Sequence, residues 1–123
     1  MPLNVLIVDD SSAIRMILRR VMTKCELPIG NVTEARDGVE ALAKMQTDDV
    51  GLVLCDINMP NMDGIEFLER VRADDTYKAV PVVMITTEGS AERVTRALEL
   101  GANGYIKKPF TADQIKEKVS GLF

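Results

Sequence analysis

The chain contains no histidine and only two cysteines among its 123 residues. Without histidine, the Ser/His/Asp and Cys/His nucleophile schemes are excluded, and so is the His-Glu-x-x-His zinc site. Cys25 and Cys55 lie 30 residues apart and form no Cys-x-x-Cys redox or zinc motif, so two buried free thiols are expected. No apolar stretch approaches the roughly 20 residues of a membrane span, and no charged-then-apolar leader opens the chain. A cytoplasmic protein without membrane insertion is the expectation. Basic runs are missing too: 15 basic against 19 acidic residues leave a net charge of −4. A duplex nucleic-acid surface needs a cationic patch to displace counterions, so direct nucleic-acid binding is not expected. Any chemistry must rest on carboxylates, Lys, Thr and Ser.

What is present is a regular alternation of strand and helix patterns, in a chain whose length suits one compact domain over residues 1–123 with no output domain. Val5 to Val8 is a continuous apolar run, as in a strand covered on both faces. Ile14, Ile17, Leu18, Val21 and Met22 then recur at helical spacing. The pattern repeats: strand Val32 to Ala35 and a helix with Val39, Leu42 and Met45; strand Leu52 to Cys55 and a helix with Ile65, Leu68 and Val71. Pro81 opens the strand Val82 to Ile85, before a helix with Ala91, Val94 and Leu98. Tyr105 and Ile106 form the last strand, and Ala112, Ile115, Val119 and Leu122 the last helical stripe. Five strand-helix units with short links imply right-handed crossovers and a parallel sheet with helices on both faces. Those stripes can all be covered by one sheet, which favours a monomer.

In an open parallel sheet the binding crevice lies beyond the carboxyl ends of the strands. The strands here end in Asp9 and Asp10 (first), Asp56 (third), Thr86 (fourth) and Lys108 (fifth). Each has an ordinary structural use: Asp10, Ser11 or Ser12 could cap the following helix, Asp56 could sit in a turn, Thr86 could be a β-branched strand residue, and Lys108 could be solvated. Their convergence at one sheet edge favours chemistry. Three clustered carboxylates repel by about 4 kcal/mol per pair at an effective dielectric near 20, so a cation must compensate. A hard divalent ion with oxygen ligands, Mg²⁺, fits best, and Lys108 could supply further positive charge. Such a site suits phosphoryl transfer with a carboxylate nucleophile. Asp56 is the better nucleophile because its loop, Asp56-Ile57-Asn58-Met59-Pro60, has no competing acid beside it and offers backbone carbonyls. Asp9 and Asp10 then read as metal ligands.

These residues resemble the receiver domains of response regulators, and among them the stand-alone regulators of chemotaxis. The resemblance runs from Val5-Leu6-Ile7-Val8-Asp9-Asp10 through Asp56-Ile57-Asn58-Met59-Pro60 and Met62-Asp63-Gly64 to Gly101-Ala102-Asn103-Gly104-Tyr105-Ile106-Lys107-Lys108-Pro109-Phe110. It implies a flavodoxin-like, doubly wound α/β fold: a five-stranded parallel sheet in order 2-1-3-4-5 with five helices on two faces. It further implies that Asp56 accepts a phosphoryl group from the phosphohistidine of a histidine kinase. Asp9, Asp10, Asp56 and the Asn58 backbone carbonyl would hold Mg²⁺. Lys108, aimed by a cis Lys108–Pro109 bond, and Thr86 would contact the phosphoryl group. Thr86 and Tyr105 would switch together, altering the face of the fourth helix, fifth strand and fifth helix. Ser90, Ala91, Tyr105, Lys107 and Lys118 are its candidate contacts with a downstream protein such as a flagellar motor switch. Asn58 and Glu88 would tune self-dephosphorylation, and the chain would be no turnover enzyme.

Alternatives within this chemistry are a phosphorelay intermediate and a receiver excised from a longer regulator. A haloacid-dehalogenase-type phosphatase needs Asp-x-Asp after the first strand, where this chain has Asp9-Asp10-Ser11. A flavodoxin needs a Ser/Thr-rich phosphate loop there, and two acids would repel a flavin phosphate. Nucleotide and dinucleotide loops of the Gly-x-x-x-x-Gly-Lys and Gly-x-Gly-x-x-Gly kinds are absent.

Overall fold

The computed structural model describes residues 2–87 and 90–123. Five strands alternate with five helices in the order β1 (Leu3–Val8), α1 (Ser12–Thr23), β2 (Ile29–Ala35), α2 (Gly38–Thr47), β3 (Leu52–Cys55), α3 (Gly64–Ala73), β4 (Val82–Thr86), α4 (Ala91–Glu99), β5 (Gly104–Lys107) and α5 (Ala112–Ser120). The strands form one parallel sheet in the order β2-β1-β3-β4-β5, as expected.

The apolar runs in the sequence have a direct cause. Alternate side chains of a strand face opposite sides, and here both sides are covered. Leu6, Val8, Val53, Cys55, Val82 and Met84 share one core with Ala41 and Met45 of α2, Phe67, Leu68 and Val71 of α3, and Ala97 of α4. Val5, Ile7, Leu52, Leu54, Val83 and Ile85 share the other with Leu18, Val21 and Met22 of α1 and Ile115 and Val119 of α5.

Several residues of the anticipated helical stripes face solvent instead: Ile17 is 44% exposed, Val39 54% and Leu98 49%, and Ala91 and Ala112, at the first positions of α4 and α5, are exposed too. On α1 the inward line runs through Ile14, Leu18, Val21 and Met22, which leaves Ile17 outside. On α2 the buried line runs through Gly38, which packs against the Met62 side chain, Ala41 and Met45, and this turns Val39 outward. Leu122 lies past the end of α5 but still packs partly against the second core. Strand β2 begins at Ile29 rather than Val32: Leu3 pairs with Ile29, and the Asn4 side chain, accepting from the Asn31 N–H at 2.9 Å, bridges an irregularity before pairing resumes at Val5 and Val32. Cys55 is buried as anticipated, whereas Cys25, just past α1, is only half-buried; both are free thiols.

Helix boundaries follow local chemistry. Ser11, Asp37, Asp63, Ser90 and Thr111 are the N-caps, each accepting a hydrogen bond from the backbone N–H three residues on. Helix α4 ends in a left-handed cap at Gly101, φ 96°. There the Gly101 and Ala102 N–H groups return to the Leu98 and Ala97 carbonyls at 3.0 Å each, leaving the chain aimed into β5.

Candidate functional site

Strand register brings the acids together. Val8 lies opposite Cys55, so the chain leaves β1 and β3 at one level, and the Asp56 N–H donates to the Val8 carbonyl at 2.9 Å. Asp9 in turn donates its N–H to the Ala35 carbonyl at 3.0 Å, tying the β1 exit to β2. Carboxylate oxygens of Asp9, Asp10 and Asp56 all lie within 4.8 Å of one another; Asp9 and Asp56 are buried and Asp10 is exposed. Thr86 pairs with Lys107 at the β4–β5 exit, and the Lys108 N–H donates to the Thr86 carbonyl at 2.9 Å.

Lys108 is shared between the two buried acids. Its ammonium donates to Asp9 Oδ2 at 2.6 Å and to Asp56 Oδ2 at 3.2 Å. The other oxygen of each carboxylate takes a backbone donor: the Ser11 N–H meets Asp9 Oδ1 at 2.9 Å and the Ile57 N–H meets Asp56 Oδ1 at 2.7 Å. Burial pushes the Asp9 carboxyl above its ordinary value, and the hydrogen bonds from Lys108 and Ser11 only partly offset this. For Lys108, burial opposes the charged ammonium, but the bond to Asp9 and the charges of Asp56 and Asp9 outweigh it and raise the pKa. The Lys108–Pro109 peptide bond is cis, as the family resemblance implied.

The Asp56 loop is fixed from two sides. The Gly64 N–H donates to the Ile57 carbonyl at 2.7 Å, and a Cβ on Gly64 would overlap the Asp56 carbonyl oxygen and stand 2.8 Å from Ile57 Cα. Across the loop, Asn61 Nδ2 donates to Asp37 Oδ2 at 2.8 Å and the Gly38 N–H donates to the Met62 carbonyl at 3.0 Å. The N-terminus of α2 therefore braces the loop. Asn58 is exposed on it, Thr86 is fully buried and Tyr105 half-buried. Glu88 lies outside the described residues. Cys55 has no part in this chemistry: burial and the charge of Asp56 push its thiol well above the ordinary 9.0.

Sequence reasoning missed the braces around the site. Asp37 reads in sequence only as a helix cap, and Asn61 as a turn residue; nothing in their spacing announces that they meet. Arg15 did carry a signal. It stands in the first turn of α1, where a cation opposes the helix dipole.

Among the described residues, the acids offer three negative charges against the one ammonium of Lys108. Two charges remain uncompensated, and a hard divalent cation with oxygen ligands matches both that charge and that donor set. A doubly wound sheet in this order, with an acidic cluster at the carboxyl ends of β1 and β3 and a lysine at the end of β5, is the arrangement expected of a receiver domain. The response regulator receiver domain family matches residues 5–120, and the chain belongs to that family.

The chain is 43% identical to the chemotaxis protein CheY-3 of Vibrio cholerae over 121 residues, covering 98% of this chain and 92% of the relative. Its fold superposes on CheY4 of Vibrio cholerae with a TM-score of 0.89 at 35% identity, over 100% of both chains. A complex of CheX and CheY with BeF3 and Mg²⁺ from Borrelia burgdorferi also matches, with a TM-score of 0.89 at 34% identity over 100% of this chain and 90% of that one. Receiver domains are signalling proteins rather than classical enzymes. None of the described helices is long and apolar enough to cross a membrane.

Proposed function

We propose that this receiver domain takes a phosphoryl group from the phosphohistidine of a separate histidine kinase onto Asp56, and that it does so in chemotaxis signalling in the cytoplasm. The observation that carries the reading is the shared Lys108: one ammonium holds a buried oxygen of both Asp9 and Asp56 beside the exposed Asp10. The chain's similarity to chemotaxis proteins supports the pathway.

In the reaction, a carboxylate oxygen of Asp56 attacks phosphorus. The new P–O bond forms as the donor's P–N bond breaks, and the imidazole keeps the electron pair. Asp9, Asp10, Asp56 and the Asn58 carbonyl would hold Mg²⁺, which would supply charge neutralisation for the phosphoryl oxygens. The Ile57 N–H and Lys108 hold the Asp56 carboxylate in place, so little reorganisation is needed for attack. Lys108 then exchanges its carboxylate contact for a phosphoryl oxygen. Thr86, fully buried at the end of β4, donates its hydroxyl to the phosphoryl group and moves toward it. Tyr105, opposite Met84 in the β4–β5 register, turns inward in response. Asn58 and Glu88 set the rate at which water removes the phosphoryl group.

The altered surface is the face of α4, β5 and α5. A groove of about 930 Å³ lies there, lined by Tyr105, Lys107 and Lys118 among others, and it would receive a downstream protein such as a flagellar motor switch. Amide NMR maps in Mg²⁺, before and after adding beryllofluoride, test the whole reading. Shifts centred on Asp56, Thr86 and Lys108 and spreading to Tyr105 and α5 are expected. Amides left unmoved by both additions would refute the phosphoacceptor assignment.

A further inference from the structure

We propose that Arg15 is a positioning residue for the acidic site, one that fixes the peptide joining Asp9 to Asp10. The inference rests on the Mg²⁺-dependent receiver reading above and names a residue outside the acid, lysine and threonine set.

The Asp9 carbonyl belongs to the peptide between the two acidic residues, so its plane governs the direction in which both carboxylates leave the chain. Arg15 Nη1 donates to that carbonyl oxygen at 2.6 Å, a direct tie between α1 and the site. Arg15 is itself held: its Nε donates to Glu34 Oε1 at 2.9 Å, and its side chain is only 17% exposed. Glu34 stands on β2, which is already hydrogen-bonded to the Asp9 N–H through Ala35. Both sides of Asp9's backbone are thus secured, the N–H by the sheet and the carbonyl by a guanidinium anchored on that same strand.

Helix stability does not account for this arrangement. Arg15 lies in the N-terminal part of α1, where no acidic residue balances it within the first turn and where the helix dipole disfavours a cation. A planar guanidinium can donate to a carbonyl and a carboxylate at once in fixed directions, which an ammonium cannot match. Such outer contacts orient metal ligands, and their loss typically weakens metal binding by 10- to 100-fold. Arg19 provides the internal comparison. It donates to the same carboxylate, at Glu34 Oε2, 2.8 Å, and to the Val32 carbonyl at 2.9 Å, and no described bond takes it to Asp9.

The test is the Mg²⁺ dissociation constant of the intact chain, read from amide shifts of Asp10, Ser11 and Asp56, alongside urea unfolding in EDTA. Arg15→Met should weaken Mg²⁺ binding about tenfold, while Arg19→Met shifts stability without a comparable loss of affinity. Arg15→Lys, which keeps the charge but loses the planar donor geometry, should fall between wild type and Arg15→Met and stands in if the methionine variant does not fold. Equal Mg²⁺ affinity in wild type and both Arg15 variants would overturn the assignment, as would parallel losses for Arg15→Met and Arg19→Met. A wild-type protein whose amides do not respond to Mg²⁺ overturns the receiver reading, and this inference with it.

Discussion

Lys108 and Asp9, 99 residues apart in sequence, meet at 2.6 Å across the carboxyl edge of the sheet. The contact spans the four neighbouring strands β1-β3-β4-β5 and reaches over Asp56, which sits between them. Lys108 is therefore the neutralising charge of the resting site and, in the proposed reaction, the group that would be released from a carboxylate when a phosphoryl group arrives. Replacing it with methionine leaves two buried carboxylates without a counterion. Unpaired buried charge costs on the order of 3 kcal/mol, so Lys108→Met should unfold at lower urea in EDTA and recover much of the difference in Mg²⁺. Loss of the same size in both conditions would show that Lys108 and the cation do not share the same acids.

Asp56→Asn should accept no phosphoryl group from a phosphorylated kinase or a small-molecule donor, because the amide is a poor nucleophile. Radiolabel incorporation measures this directly, and stoichiometric labelling of the variant would refute the acceptor assignment.

Thr86→Ala should still bind beryllofluoride at Asp56, yet the response at Tyr105 and α5 should shrink, since the hydroxyl proposed to link the phosphoryl group to β5 is gone. Amide maps of the variant with and without beryllofluoride provide the comparison. An undiminished response at Tyr105 would remove Thr86 from the switch.

Gly64 is required by close approach rather than by its dihedral angles. A methyl group there collides with the Asp56 carbonyl oxygen and the Ile57 backbone, neither of which can move without displacing the Asp56 loop. Gly64→Ala should lose about 1–3 kcal/mol, the usual penalty of overpacking, with weaker Mg²⁺ binding alongside. Urea unfolding together with a Mg²⁺ titration separates the two effects.

Glu34 links acid stability to the inferred brace. Burial is the largest single influence and opposes its charge, but the hydrogen bonds and charges of Arg19 and Arg15 together outweigh it and lower its pKa below the ordinary 4.5. A depressed folded-state pKa contributes stability above pH 4.5 that is lost as the pH falls through the folded value. Glu34→Gln should thus be less stable than wild type by about 1 kcal/mol at pH 7, and the gap should close below pH 4.5. Urea titrations at pH 7 and below pH 4 check the sign; a gap that widens in acid would contradict it.

The sequence by itself determined the alternation of strands and helices, because burial on both faces leaves continuous apolar runs at β1, β3 and β4 that local pattern reveals. It also marked Asp9, Asp10, Asp56, Thr86 and Lys108, since strand ends are legible and a parallel sheet aligns them. Helix faces were less clear. Ile17, Val39 and Leu98 satisfy a helical period yet point outward, because which side of a helix is buried depends on what packs against it.

Only the tertiary structure decided how the site is held. That Lys108 is divided between Asp9 and Asp56, that Asn61 is bound by Asp37, and that Arg15 grips the Asp9 carbonyl while resting on Glu34 are facts of strand register and helix placement. Such contacts join residues on different elements, and a local pattern carries no record of a partner that the fold brings from elsewhere in the chain.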